Sequence, residues 1–217
     1  MNIEVWYDLV CPWCYLGKRR LEAVLLEFGG AASTTFRAYQ LDPAPVPAPI
    51  PVEQAMAAKV GGHTQARQML AHVTGVARAE GLPLEYDRAV AANTFDAHRL
   101  VSWAAAHELR QMMIETLQQA HFVDGVDLGS HAELARLAGT IGLDTRAALA
   151  YLASPAGTDA VKTDLAEARE LGITSVPTIV VDRKYVIQGA QEPAALRSAL
   201  GEIARREAAV SRETSLS

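Results

Sequence analysis

The chain has 217 residues, 50% apolar and 21% charged, with a formal net charge of −5. That is enough apolar material for a substantial core, and the mild acidity, free of blocks of like charge, argues against nucleic acid or an anionic membrane surface as the main partner. No apolar run approaches the roughly 18 residues of a membrane span, and Met1-Asn2-Ile3-Glu4 carries neither a basic nor an apolar leader, so a cytoplasmic protein is expected.

Residues 2–8 alternate as a strand, with Ile3, Val5 and Tyr7 on one face and Trp6 on the other. The only two cysteines follow at once, in Cys11-Pro12-Trp13-Cys14. Leu21, Val24, Leu25 and Phe28 then recur at helical spacing before Gly29-Gly30, so a helix is predicted over 12–28. At the start of a helix, unpaired N–H groups and the positive end of the dipole favour an anion, here the Cys11 thiolate. Cys14 lies about one turn deeper on the same face, within reach for a small disulfide ring. Pro12 fits an early helical position, where its missing N–H loses no bond, and Trp13 offers an aromatic surface beside the sulfur.

Two other roles for the cysteines fit the sequence less well. Structural cysteines would fall only by coincidence into this spacing at a strand-to-helix junction. A structural zinc needs four ligands, and His63, His72, His98, His107, His121 and His131 contain no H-x(3–5)-H pair, so no metal is expected. In a reducing compartment a C-x-x-C pair points to catalysis or redox sensing.

Thr34 to Tyr39 give a second strand, and β-α-β with a right-handed crossover implies parallel pairing. From Asp42 the prolines at 43, 45, 47, 49 and 51 alternate with small residues and predict an extended connector. The next 120 or so residues read as helical, with turns at Gly61-Gly62, Gly81-Leu82-Pro83, Gly125 and Gly142. Ser130 to Glu133 fit a capping box ahead of Leu134, Leu137, Ala138 and Ile141, and Asp144 fits the cap of the following helix. A further helix is marked by Val161, Leu165 and Ala168. Strand character returns in Pro177 to Val181 and Tyr185 to Ile187, a hairpin around Asp182-Arg183-Lys184. Glu192-Pro193 start a last helix whose buried face is Leu196, Ala199, Leu200 and Ile203, and the polar end from Glu207 predicts a frayed tail. The expected fold is α/β, a four-stranded mixed sheet flanked by helices with a large all-helical insertion. Its boundaries are 1–42 and 172–207 for the sheet unit, 43–171 for the insertion and 208–217 for a disordered tail.

Asp8-x-x-Cys11-Pro12-Trp13-Cys14, Asn93 to Arg99, Ala168 to Thr178 with its Val176-Pro177-Thr178, and Gly189-Ala190-Gln191 together carry a resemblance. Over nearly its whole length the chain resembles the DsbA-like branch of the thioredoxin superfamily, in particular its FrnE-like members. Those are often grouped with 2-hydroxychromene-2-carboxylate isomerases and kappa-class glutathione transferases. The resemblance implies a thioredoxin-like fold and thiol–disulfide oxidoreductase or isomerase chemistry, with Cys11 as nucleophile and Cys14 as resolving thiol. It also implies a cis bond at Val176-Pro177 facing the disulfide, with Pro177 part of the catalytic set. Pro12, Trp13, Val176 and His98 would contact substrate, although a histidine packed among apolar helix neighbours is the more ordinary outcome. Asp8 fits either a proton relay or a turn, and its charge would raise a neighbouring thiol pKa.

Substrates on this reading are disulfides or thiols of proteins, of glutathione or of small molecules. No cofactor would be tightly bound, and glutathione would act as redox partner or co-substrate. Members of the family often form homodimers, and no residue pattern here locates an interface. The alternative is a glutathione-dependent isomerase or transferase acting on an aromatic or polyketide-like small molecule. Those relatives usually carry Ser at the position of Cys11 and a Gly-x-Asp-Arg where this chain has Gly189-Ala190-Gln191-Glu192. A third reading, a binding module with a redox-sensing pair, needs no catalysis.

Overall fold

The computed structural model describes residues 1–28, 32–46 and 48–214. The predicted Gly29-Gly30 stop, Pro47 of the proline series and the last three residues lie outside them. Strand β1 (Asn2–Tyr7) leads into α1 (Pro12–Glu27) and β2 (Ser33–Ala38), and the chain returns to the sheet at β3 (Thr178–Val181) and β4 (Tyr185–Gln188) before α9 (Pro193–Thr214). Between β2 and β3 run α2 (Val52–Val60), α3 (His63–Ala79), α4 (Phe95–Ala105), α5 (Arg110–Phe122), α6 (His131–Thr140), α7 (Thr145–Ala153) and α8 (Thr158–Glu170). The sheet order is β2-β1-β3-β4, with β1 parallel to β2 and antiparallel to β3, and β3 antiparallel to β4. This is the mixed sheet with an all-helical insertion that the sequence predicts. Pro51 and Val90 form a single isolated bridge within the helical block.

β1 is central and covered on both faces. Ile3, Val5 and Tyr7 enter the main core with α1, α4, α5 and α9, while Trp6 packs with Ala168, Ile173 and Val180 on the opposite side. Glu4, on the Trp6 face, is a buried carboxylate in mid-strand. It is tolerated because Arg37 of β2 bonds it at 2.6 Å and Arg183 of the hairpin turn at 3.3 Å. That turn places Asp182 and Arg183 at positive φ, and their side chains offset the strain. Asp182 accepts the Asn2 N–H at 2.6 Å, and Arg183 also pairs with Glu167.

The helical block is tied to the sheet by the Asn93–Arg99 motif at the start of α4. Asn93 donates to the carbonyls of Pro43 and Ala44 at 2.9 and 3.1 Å, pinning the proline-rich connector. Arg99, 4% exposed, bonds the carbonyls of Tyr151, Leu152, Ser154 and Ala156 at the end of α7, and pairs with Asp96. A buried guanidinium thus caps the end of a helix about fifty positions away in sequence.

Of the predicted tail 208–217, the first seven residues are helical and the last three lie outside the described residues. α9 continues to Thr214. Glu207 accepts from Lys184 at 2.9 Å and from the Tyr185 hydroxyl at 3.0 Å, and Glu202 pairs with Arg205 and Arg206, so the turns of α9 just before residue 208 are held by β4 and by i,i+3 and i,i+4 partners.

Candidate active site at the Cys11–Cys14 pair

The turn from β1 into α1 builds the site from main chain. Cys11 N–H donates to Asp8 O at 3.2 Å, closing the turn, and Cys11 is itself the N-cap of α1 with extended backbone. Its sulfur occupies the place of a capping oxygen and accepts the Cys14 N–H at 3.3 Å, while Pro12 takes the first helical position. A thiolate here receives the helix-end field and a directed N–H together.

Opposite lies the loop before β3. The Val176–Pro177 peptide bond is cis, Gly189 N–H donates to Pro177 O at 2.8 Å, and the Thr178 hydroxyl to Ser175 O at 2.7 Å. Cys11 Sγ faces the Val176 carbonyl at 3.7 Å. α1 approaches this loop closely because residue 17 is glycine. A Cβ there would stand 3.0 Å from Pro177 Cγ and 3.4 Å from Ala190 Cβ.

Both cysteines are free thiols, yet Cys11 is only 3% and Cys14 2% exposed. Burial pushes the Cys14 thiol up, reinforced by its hydrogen bond to Cys11 and by the charges of Cys11 and Asp8. Cys14 therefore keeps its proton while Cys11 carries the helix-stabilised position, a division that suits one attacking and one resolving sulfur.

Beneath Cys14 is a polar floor. Asp8, 1% exposed, accepts the Leu41 N–H at 2.8 Å through Oδ2, and its other oxygen faces His98 Nε2 at 3.4 Å without a hydrogen bond. His98 Nε2 donates instead to Tyr39 O at 3.0 Å, and its ring stands edge-on to Tyr7. His121 of α5 also feels the Asp8 charge, but burial dominates and holds it down to about 4, so it is neutral. Among the described residues its Nδ1 has no hydrogen-bond partner, and Gln118, one turn earlier and fully buried, has neither amide atom paired.

The site residues predicted from sequence separate accordingly. Cys11, Cys14, Trp13, Val176 and Pro177 come together at the end of α1, with Pro12 and Trp13 half-buried at its rim and Trp13 5.9 Å from the His72 ring of α3. His98 does not join them. It lines a cavity of about 230 Å³ with Tyr7, Arg110 and Asp164, whose walls include none of Cys11, Pro12, Trp13 or Val176. Its place is the floor, as a neighbour of Asp8. Sequence reasoning missed His121 and Gln118, whose signal was two polar residues on the helix face that Met113, Ile114 and Leu117 make apolar. It also missed Tyr86, on a loop with no periodicity to read. No cluster able to hold a metal ion occurs among the described residues, and no described helix is long and apolar enough to cross a membrane.

Comparisons place this geometry among known proteins. A probable DsbA oxidoreductase of Streptomyces coelicolor is similar at 34% identity over 93% of this chain and 89% of its own, with a TM-score of 0.87. A 2-hydroxychromene-2-carboxylate isomerase shares the fold at 18% identity over 97% of this chain and 99% of its own, TM-score 0.71. So does the cytosolic disulfide reductase DsbM of Pseudomonas aeruginosa, solved with glutathione, at 21% identity over 94% of this chain and 100% of its own, TM-score 0.66. No curated protein matches the chain. The model of the DSBA-like thioredoxin domain matches residues 2–201, nearly the whole molecule, and with the cysteine pair, the mixed sheet and the facing proline loop all present, the chain belongs to that family.

Proposed function

We propose that the protein is a thiol–disulfide oxidoreductase working through Cys11 and Cys14 on disulfides or thiols of proteins, glutathione or small molecules, in the cytoplasm. The observation that carries this reading is the asymmetry of the pair. The Cys11 sulfur sits at a helix N-cap with a directed N–H, and Cys14 is a buried thiol hydrogen-bonded to it. In the reducing direction the Cys11 thiolate attacks one sulfur of the substrate disulfide, and the other sulfur leaves with the electron pair as thiolate. Cys14 then loses its proton and attacks Cys11 Sγ, the substrate sulfur leaves with the bonding pair, and the Cys11–Cys14 disulfide holds the two-electron oxidation. Asp8, the buried carboxylate beside Cys14, receives the Cys14 proton. The half-buried main chain of Val176 offers an extended substrate a strand-like partner next to the sulfur.

Glutathione fits this reading as an exchanging partner rather than a resident cofactor. DsbM, a structural neighbour, was solved with glutathione. In this chain the corner that would hold a Gly-x-Asp-Arg is closed by its own bonds, since buried Arg20 of α1 ties Ala190 O at 2.5 Å and Glu192 at 2.8 Å, and also pairs with Glu80. A Cys14→Ser variant mixed with glutathione disulfide is expected to stop at a mixed disulfide on Cys11, seen by mass spectrometry as one added glutathionyl group. Unmodified protein would sink the reading. Saturable binding of reduced glutathione that survives Cys11→Ala would favour the glutathione-dependent isomerase instead.

A further inference from the structure

Tyr86 lies on the loop between α3 and α4, outside every motif of the sequence, and its phenol is fixed in place. Glu85 N–H donates to Phe122 O at 2.7 Å, Leu82 and Leu84 on the same loop are buried, and the Tyr86 ring stands edge-on to Phe122 at 6.1 Å and 82°. Phe122 in turn stacks on Tyr15, the residue after Cys14, at 5.7 Å and 12°. Trp13 packs against the same cluster. Phe122 of the helical block thus links the Tyr86 ring to Tyr15 in the first turn of α1.

The hydroxyl of this residue is buried and has no hydrogen-bond partner among the described residues. An unpaired buried hydroxyl is destabilising, and a fold that keeps one has a use for it. Burial and, after it, the charge at Cys11 push the Tyr86 phenol up, so it stays a protonated donor and lies in the field of that sulfur. It makes no hydrogen bond to Cys11 itself, whose sulfur is engaged by the Cys14 N–H and faces Val176 O. An unpaired O–H in the cluster that packs with Trp13 and Tyr15, the residues on either side of Cys14, is placed for a sulfur attached to Cys11.

We propose that Tyr86 is a further catalytic residue, donating its O–H hydrogen bond to the substrate sulfur of the mixed disulfide as that sulfur leaves Cys11. The inference rests on the exchange chemistry above. As Cys14 attacks Cys11 Sγ, the bond from Cys11 to the substrate sulfur breaks and its electron pair becomes a thiolate, which the phenol stabilises without giving up its proton. The dithiol is oxidised and the substrate reduced. The demand on the donor scales with the basicity of the leaving thiolate, so an alkyl thiol such as glutathione needs it and an acidic aromatic thiol does not.

The test is single-turnover oxidation of the reduced full-length protein, wild type and Tyr86→Phe, by glutathione disulfide and by dithiobis(2-nitrobenzoate). Acid quenching and mass spectrometry follow the mixed disulfide and its decay. The variant keeps the ring and removes only the unpaired oxygen. Its resolution step is expected to slow about tenfold with glutathione, the size of one hydrogen bond to a charged atom, and less than twofold with thionitrobenzoate. Slowing to the same degree with both, as a packing defect would give, or with neither, overturns the role of Tyr86 while leaving disulfide exchange intact. A wild type that neither gains the Cys11–Cys14 disulfide nor releases thiol from either reagent overturns the exchange reading and this proposal with it.

Discussion

The rim of the site around Cys11 and the floor beneath Cys14 are built of different materials. At the rim the groups that meet the sulfur are main chain, the Cys14 N–H and the Val176 carbonyl, placed by the start of α1 and the loop before β3. On the floor the polar groups are side chains, Asp8 from the end of β1 with His98 from α4 and His121 from α5 around it. The rim follows from the path of the sheet unit and tolerates changes of side chain that preserve that path. The floor depends on residue identity and on the helical block being docked.

Removing the sulfur at the rim gives the largest effect. Cys11→Ser is expected to lower disulfide exchange with glutathione by at least about a thousandfold, since a hydroxyl at this pH supplies almost no anion. Stopped-flow thiol release measures it, and retention of a tenth of the activity would remove Cys11 as the nucleophile. On the floor, Asp8→Asn keeps an acceptor for the Leu41 N–H and loses the base. Resolution of the mixed disulfide is expected to slow by about a hundredfold at neutral pH, the usual weight of a positioned general base. The lost charge also eases ionisation of Cys14, but burial, which the variant leaves in place, is the larger cause of that thiol's shift. An unchanged rate of mixed-disulfide decay would make Asp8 a turn residue only.

A third prediction separates the floor from the rim by pH. His121 is held down to about 4 by burial, below its unfolded value of about 6.5, so the unfolded chain binds the extra proton first. The stability due to neutral His121 is complete above pH 6.5 and is lost as pH falls toward 4, a decline of about 3 kcal/mol. Urea unfolding at a series of pH values should show that slope in the wild type and a flatter one in His121→Leu. Equal slopes would show that His121 is not buried in neutral form. The smallest expected effect returns to the rim. Gly17→Ala brings a methyl to 3.0 Å from Pro177 Cγ. The loop must yield by a few tenths of an ångström, at about 1 kcal/mol of stability and a fewfold loss of exchange rate. A variant as fast and as stable as wild type would show that the proline loop is not held by this approach.

What the sequence makes legible is what is local. Strand, cysteine pair and helix stand in one run of chain, and the capping of α6 by Ser130 and of α7 by Asp144 is confirmed at 3.4 and 2.7 Å because a cap is decided within four residues. The rim is legible for the same reason, apart from its proline loop, which the family resemblance supplies. The floor is not. His98 and Asp8 are ninety positions apart in the chain, and which face of α4 carries His98 inward is settled by packing against Tyr7 and Tyr39. The end of α9 fails as a tail for a like reason. Its polar residues read as solvated until Lys184 and Tyr185 of β4 meet Glu207. Asn93 and Arg99 stand out as a string, but their work lies in carbonyls at positions 43–44 and 151–156, which no pattern around residue 95 announces.

The burial of Cys11, the nucleophile we propose, has a kinetic meaning. Cys11 is 3% exposed, so a reagent too large for that opening reacts only in molecules that have opened further, and its observed rate is the intrinsic rate multiplied by their fraction. A small alkylating agent such as iodoacetamide needs only a slight opening and a bulky maleimide a wide one, so the ratio of their rates reads the breadth of the motion directly. A protein disulfide, larger than either, reacts at the frequency of the widest opening unless its own docking lifts the cover, and saturation of its rate with concentration would mark that ceiling.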